Sequence, residues 1–497
     1  MNRKSFLTRT ASLILGYPIA QWHLVSSKWP GSKGRRFGPY FGNGFRNGWV
    51  DQNSAVIWTR LTQTPELNAT GQSFFHVSRE DHESWLRHLT DEAEIHKIQI
   101  PQGYTLADME GACPGTEGEV KLSLRPIDQR GRKHEVKWTA VDPNMDHTVQ
   151  WKLDDLLPGT VYEVTLQCRK SRFSRKTDSV SGTFTTPPAP SVDQAVRFCV
   201  VTCHSYNWKD GPEGHTIYRS MLTHSPDFYV HTGDVEYYDA PDPWAMTEKL
   251  MRFKWNRLFA LPNQRHFFTR VTSYFMKDDH DTLVNDCSPG DSYGSVSFER
   301  GMEIFDKEQF PSTDRTYKTV RWGKSLQVWF LEGRNYRSRN DMPDGPEKTV
   351  LGKEQKKWLF DTVTSSDAPF KVIVSPTPIL GPDKPGKNDN LANPNFQREG
   401  DEIREFFGSQ KNLYLCNGDR HWQYATYWKN IDLWEFGCGA GSDMHPMHWD
   451  PRDVRAEHEF LRVKGGYLFV EADSNRISFN HCDVDGEVVF RKEFELV

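Results

Sequence analysis

Short apolar runs broken by polar turns fill the first third of the chain. Ser54-Ala55-Val56-Ile57-Trp58-Thr59-Arg60 is an apolar run with polar flanks. Val149–Leu153 and Val161–Leu166 alternate apolar and polar positions with a period of two, as strands buried on one face do. Leu157-Pro158-Gly159-Thr160 reads as a turn, and Gly182–Thr186 closes the set. The pattern predicts a β-sandwich from Gly38 to about Thr186, with an insertion over 62–148 to which it assigns no structure. Pro187-Pro188-Ala189-Pro190 marks a boundary. Beyond it, apolar runs at 196–202, 227–231, 271–276, 326–331, 371–375 and 412–416 alternate with amphipathic stretches such as Lys353–Val363. That alternation predicts a layered α/β domain.

Composition narrows the function classes. The chain has 497 residues with 62 Lys and Arg against 67 Asp and Glu, so the basic footprint of a nucleic-acid binder is missing. No uncharged apolar run reaches the roughly 18 residues of a spanning helix, so no transmembrane segment is expected. The eight Cys form no CxxC pair, which excludes zinc-ribbon and thioredoxin-like readings. The start, Met1-Asn2-Arg3-Lys4-Ser5-Phe6-Leu7 followed by an apolar stretch from Ala11 to Ala20, reads as an export signal with a twin-arginine-like core, which predicts a secreted or periplasmic protein. The expected division is a leader and linker over 1–36, a β-sandwich over 37–188 and an α/β domain over 191–497.

Candidate chemistry collects where apolar runs stop at ionisable residues, the strand ends where α/β folds bind ligands. These are Thr202-Cys203-His204, Gly233-Asp234-Val235-Glu236-Tyr237, Asp278-Asp279-His280-Asp281, Glu332-Gly333-Arg334 and Gly418-Asp419-Arg420-His421. Asp234, Asp279 and Asp419 put carboxylates at three strand ends, enough to hold two ions if one carboxylate bridges them. Asp234 suits the bridge because Gly233 lets the backbone approach closely. His280 is placed to protonate a leaving group. His204, His215, His224 and His231 read as structural. The segment Asp443–Trp449 reads as a lining of the cleft mouth or as a plain loop. Tyr237, Tyr238, Trp244, Trp255, Trp422 and Trp449 read mainly as core, with stacking on a sugar or nucleoside as the alternative.

Taken in order, these motifs resemble the PhoD-like alkaline phosphatase/phosphodiesterase family of calcineurin-type metallophosphoesterases. The matching stretches are Cys203, Gly233-Asp234-Val235-Glu236-Tyr237, Asp278 to Asp286, Leu331 to Arg337, Leu351-Gly352-Lys353-Glu354-Gln355-Lys356-Lys357-Trp358-Leu359 and Gly418-Asp419-Arg420-His421. The stretch Leu157 to Tyr162 is similar to the end of a fibronectin type III-like module. The stretch Asp278 to Asp286 lacks the family's Tyr-Gly, and two further residues depart from the pattern, Lys277 before the Asp-Asp-His and Arg420 between Asp419 and His421, both expected to bring basic side chains near the site.

The resemblance implies a four-layer αββα sandwich behind the all-β module. It also implies a dinuclear phosphoesterase, acting on a small or polymeric ester by in-line attack of a metal-bridging hydroxide. By the same resemblance Cys203, Asp234, Tyr237 and His421 hold one ion, commonly Fe3+, and Asp234, Asp279 and Asp419 hold a second, often Ca2+, with Zn2+ and Mn2+ as alternatives. Asn285 is expected to touch the second metal or the substrate, Arg334 and Arg337 to clamp an oxyanion, and Lys277 to contact substrate. The rival readings are a sulfate esterase built on the same site and a non-catalytic carbohydrate-binding protein.

Overall fold

The computed structural model describes residues 38–128 and 132–497, so the expected leader lies outside the described residues. Two antiparallel sheets form from the alternating segments at the start of this range. Phe45–Gly48, Ala55–Arg60 and Thr148–Leu153 make one, and His134–Ala140, Glu119–Pro126, Val161–Arg169 and Lys176–Thr185 make the other, each in that spatial order. The period of two explains the core between them. Val120, Leu122 and Leu124 face inward beside Tyr162, Val164, Leu166 and Cys168, against Ala55, Ile57 and Leu61. The Tyr162 hydroxyl accepts a bond from the Leu157 N–H (2.7 Å) and so fixes the turn at Leu157–Thr160.

The insertion supplies two helices as well as strands. Arg79–Ser84 is capped by the Ser78 hydroxyl, and Glu92–Gln99 by the Asp91 carboxylate. Both lean on the α/β part: His82 stacks on Trp244 with ring centroids 3.8 Å apart, and the Gln99 amide bonds both the N–H and the carbonyl of Trp244.

Beyond Pro190 the chain builds two larger sheets. One has six strands in the order Thr272–Phe275, Phe228–His231, Val196–Val201, Tyr467–Ala472, Arg476–Cys482 and Val488–Glu495, with the first three parallel. The other has seven: Lys318–Trp322, Leu326–Phe330, Phe370–Ser375, Leu413–Asn417, Leu433–Cys438, Gln423–Trp428 and His458–Arg462.

Side-chain parity then makes four layers. Phe198 and Val200 point between the sheets with Val328, Val372 and Tyr414. Their neighbours Cys199 and Val201 point the other way, onto helices Ile217–Thr223, Glu248–Phe259 and Pro262–Phe268. Ile373 and Leu415 pack on helices Gly352–Thr364 and Gln397–Gly408. This is the αββα stacking expected from the sequence. The central strands, such as Phe228–His231, Leu413–Asn417 and Leu433–Cys438, are buried on both faces, as near-continuous apolar runs require.

The two halves are sutured. The Trp58 indole donates to the Glu308 carbonyl (2.7 Å), the Tyr274 hydroxyl to the Val50 carbonyl (2.7 Å), and Gly38–Val497 is one compact unit. No helix among the described residues is long and apolar enough to cross a membrane.

Candidate metal centre

Parallel strands of both sheets end at the same edge, and their last residues converge. Val201 leads to Cys203, His231 to Asp234, Phe275 to Asp279 and Asn417 to Asp419. Cys203, Asp234 and Asp419 take left-handed backbone conformations (φ 46°, 54° and 64°). Non-glycine residues held there cost about 1–3 kcal/mol each and gather at functional sites. Gly233 is needed for contact: a Cβ on it would lie 2.6 Å from the Cβ of Asp278. The Thr202 hydroxyl accepts from the Asp419 N–H (3.1 Å), joining the edge of one sheet to the other.

Asp234 is the hub. Ligand atoms of Cys203, Asp234 and His421 lie within 4.8 Å of one another, as do those of Asp234, Asp279 and His280, and those of Asp234, Asp278 and Asp419. The Cys203 thiol (3.3 Å) and the Tyr237 hydroxyl (3.2 Å) both donate to one carboxylate oxygen of Asp234. The other oxygen is buried and has no hydrogen-bond partner among the described residues. No Lys or Arg among the described residues pairs with this carboxylate. Burial and the neighbouring Asp279 push its pKa well above the usual carboxylate range. A buried carboxylate left this way is costly unless a cation completes it. Thiolate, phenolate, imidazole and carboxylate donors fit a pair of metal ions.

The Asp-Asp-His-Asp run divides its labour. Asp278 is the buried partner of Arg334, whose Nε and Nη2 both reach one of its oxygens (2.7 and 2.5 Å). Asp279 faces the donor set. His280 lines the cleft, and its Nδ1 is held by Asp239 at 2.6 Å. Burial alone would lower the His280 pKa, but Asp239, Asp279 and Asp234 together raise it well above its ordinary value. Asp281 accepts from the N–H groups of Asp278 and Glu236 (both 3.1 Å), fastening two site loops together.

Three expected substrate contacts are placed elsewhere. The Lys277 ammonium is buried between Asp306 (2.9 Å) and Glu332 (3.3 Å), away from the cleft, because two carboxylates offset its desolvation. Arg334 is fully buried, with its guanidinium against Asp278 and near Asp389 (3.5 Å). Arg337 is spent on the Asn340 side chain and the Asp389 carbonyl. Asn285 does line the cleft, and Arg420 reaches it while pairing with Asp419 and Asp383 (both 2.5 Å). The Gln355 side chain explains another motif: it bonds the N–H and the carbonyl of Glu332 (both 2.8 Å) and so braces the Arg334 loop.

Other residues were missed or left open by the sequence. Asp239, which orients His280, follows Tyr237 by two positions and carries no motif of its own. His445, from the loop with two possible readings, is buried with its Nε2 3.3 Å from the Tyr237 hydroxyl, beside the His421 Nε2 at 3.1 Å. His421 itself is oriented by its Nδ1 contact with the Pro446 carbonyl (2.7 Å). The four histidines read as structural are hydrogen-bonded inside the protein, among them His204 to the Val235 carbonyl (2.8 Å) and His224 to the Tyr467 hydroxyl (2.7 Å). Tyr238 and Trp255 bond each other in the core, whereas Trp208, Trp244 and Trp422 flank a cleft of about 530 Å³ that opens onto His280, Asp419 and His421.

The family model for PhoD-like phosphatases matches residues 198–449, a span holding every donor named above. The chain belongs to the PhoD-like phosphatase family. It is 24% identical to alkaline phosphatase D of Bacillus subtilis (strain 168) over 417 residues, 75% of this chain but 62% of that protein, so it spans under two thirds of that relative's length. A solved structure of PhoD superposes with a TM-score of 0.67 at 16% identity, covering 94% of this chain and 92% of that one. A purple acid phosphatase from yellow lupin (Lupinus luteus) seeds gives 0.60 at 11% identity, over 91% of this chain and 74% of that one. These likenesses establish the metallophosphoesterase-type fold, and PhoD-like membership accords with a metal cofactor at the Asp234 cluster.

Proposed function

We propose that the protein is a metal-dependent phosphoric ester hydrolase with two ions sharing Asp234. The observation that carries this reading is the Asp234 carboxylate, buried between Cys203, Tyr237 and His421 on one side and Asp278, Asp279 and Asp419 on the other, with an oxygen that nothing among the described residues completes. Cys203, Tyr237 and His421 suit Fe3+, and the carboxylates of Asp279 and Asp419 suit a hard ion such as Ca2+. Bound there, the ions would neutralise charge developing on a phosphoryl group, orient it and activate a water.

The chain's own groups supply the rest. His280, held by Asp239, gives a proton to the departing oxygen. Asn285 forms part of the wall around the substrate. Arg334 holds Asp278 in place, so the loop carrying Asp279 and His280 keeps its geometry.

The test is a comparison of metal-replete protein on nitrophenyl phosphate, bis-nitrophenyl phosphate and nitrophenyl sulfate. Turnover of one or both phosphates with little or none of the sulfate is expected. Turnover of the sulfate alone would replace this reading with the sulfate-ester one.

A further inference from the structure

Away from the metal donors, the cleft wall is crowded with positive charge. Arg79 and Arg87 come from the insertion in the β module, Lys384 and Lys387 from the loop after strand Phe370–Ser375, and His448 from the segment that also carries His445. Three stretches of chain, distant in sequence, therefore meet on one concave surface.

Their pairing is uneven. Lys387 bonds Asp286 and lies 3.9 Å from Asp389, and Arg420 pairs with Asp383 and Asp419. Lys384 is half-buried yet forms no ion pair among the described residues. Burial, then Arg420 and Lys387, lower its pKa, while the two acids within reach are already bound to Arg420. His448 has the same surroundings: burial, Lys384 and Arg79 all lower its pKa. Arg79 has a loose contact with Glu83 of its own helix (3.9 Å). Like charges gathered in a concavity raise the local concentration of anions. Ionised phosphate and sulfate groups are what such a cluster holds best.

We propose that this outer wall is a second oxyanion subsite, which binds a phosphate or sulfate group carried by the substrate at a distance from the scissile ester. The proposal rests on the hydrolase reading above and adds a substrate class to it: esters with two or more oxyanions, recognised in part by the helix Arg79–Ser84 of the β module.

The experiment uses 4-nitrophenyl phosphodiesters of alkanols over a range of chain lengths. Each is compared with the same ester bearing a terminal phosphate and with one bearing a terminal sulfate. The scissile bond and leaving group are identical throughout. At one or more chain lengths a terminal oxyanion should raise kcat/KM about tenfold, mainly through KM. In Lys384→Ala the ratio between charged and uncharged esters should fall to about one, and in Lys384→Glu it should invert. A gain confined to the phosphate or to the sulfate series identifies the group recognised. No gain at any length, or a gain that survives both variants, overturns the proposal. If none of the esters turns over, the hydrolase reading fails separately, and calorimetry with alkanediol bisphosphates and alkyl monophosphates still reads the subsite. Tighter binding of the bisphosphate that Lys384→Glu abolishes supports it, and equal binding of the two overturns it.

Discussion

Replacing Arg334 with Met separates a positioning role from direct substrate binding. The guanidinium is fully buried, with two nitrogens on Asp278, a third on the Cys287 carbonyl (3.1 Å), and Asp279 and Asp389 within 3.9 and 3.5 Å. Burial pushes the Asp278 pKa well above the usual carboxylate range, with Arg334 the main force opposing the rise. The variant leaves that carboxylate buried and unpaired, which costs about 3–5 kcal/mol. Arg334→Met should therefore lower the unfolding midpoint in denaturant and weaken metal retention, with activity falling in step with metal. The double variant Arg334→Met/Asp278→Asn removes both ends of the pair and should recover about 1–3 kcal/mol of the loss. Unfolding curves with elemental analysis on the same samples provide the assay. Unchanged stability and metal content with a raised KM would refute the reasoning and make Arg334 a substrate ligand.

Three further outcomes are expected. His280→Ala should keep its metals but lose about 10²–10⁴-fold in rate on esters with poor leaving groups, and less on nitrophenyl esters, whose leaving oxygen departs without a proton; equal losses would remove the acid role. As-isolated protein should be coloured by ferric phenolate and thiolate charge transfer, and Tyr237→Phe should shift or bleach the band; colourless, active protein with zinc and no iron would contradict Fe3+. His481, buried between the sheets, has its pKa lowered to about 4 by burial, so the folded state refuses a proton that the unfolded chain accepts. Stability should fall by up to about 3 kcal/mol as pH drops from about 6.5 to about 4. A His481→Leu variant should show a flatter acid limb in unfolding measured against pH, and an unchanged limb would contradict the assignment.

The strands were legible because their signals are local. The runs at 196–202 and 371–375 lie on Val196–Val201 and Phe370–Ser375, and Lys353–Val363 lies within helix Gly352–Thr364. The donor set was legible because its members stand at strand ends, where an apolar run halts at a ligand-type residue. Side-chain partnering across the fold was not. Lys277 is one position from Asp278 in sequence, but Asp306 and Glu332 turn it away from the cleft, and both are distant in the chain. Arg334 had the chemistry of an oxyanion clamp, and its buried carboxylate neighbours took that capacity instead. The insertion gave no periodic signal long enough to assign, because its helices are short and owe their place to docking on Trp244, as in the His82 stack. Its contribution to the cleft was for that reason invisible.

If Asp234 joins two metal ions on which hydrolysis depends, its loss must remove metal and activity together. The most direct measurement is metal stoichiometry by elemental analysis, taken with the hydrolysis rate, for the wild-type protein and Asp234→Asn. Two ions per chain are expected in the wild type, and a variant that loses bound metal and activity together. A variant that keeps both ions and near-full activity would contradict that expectation.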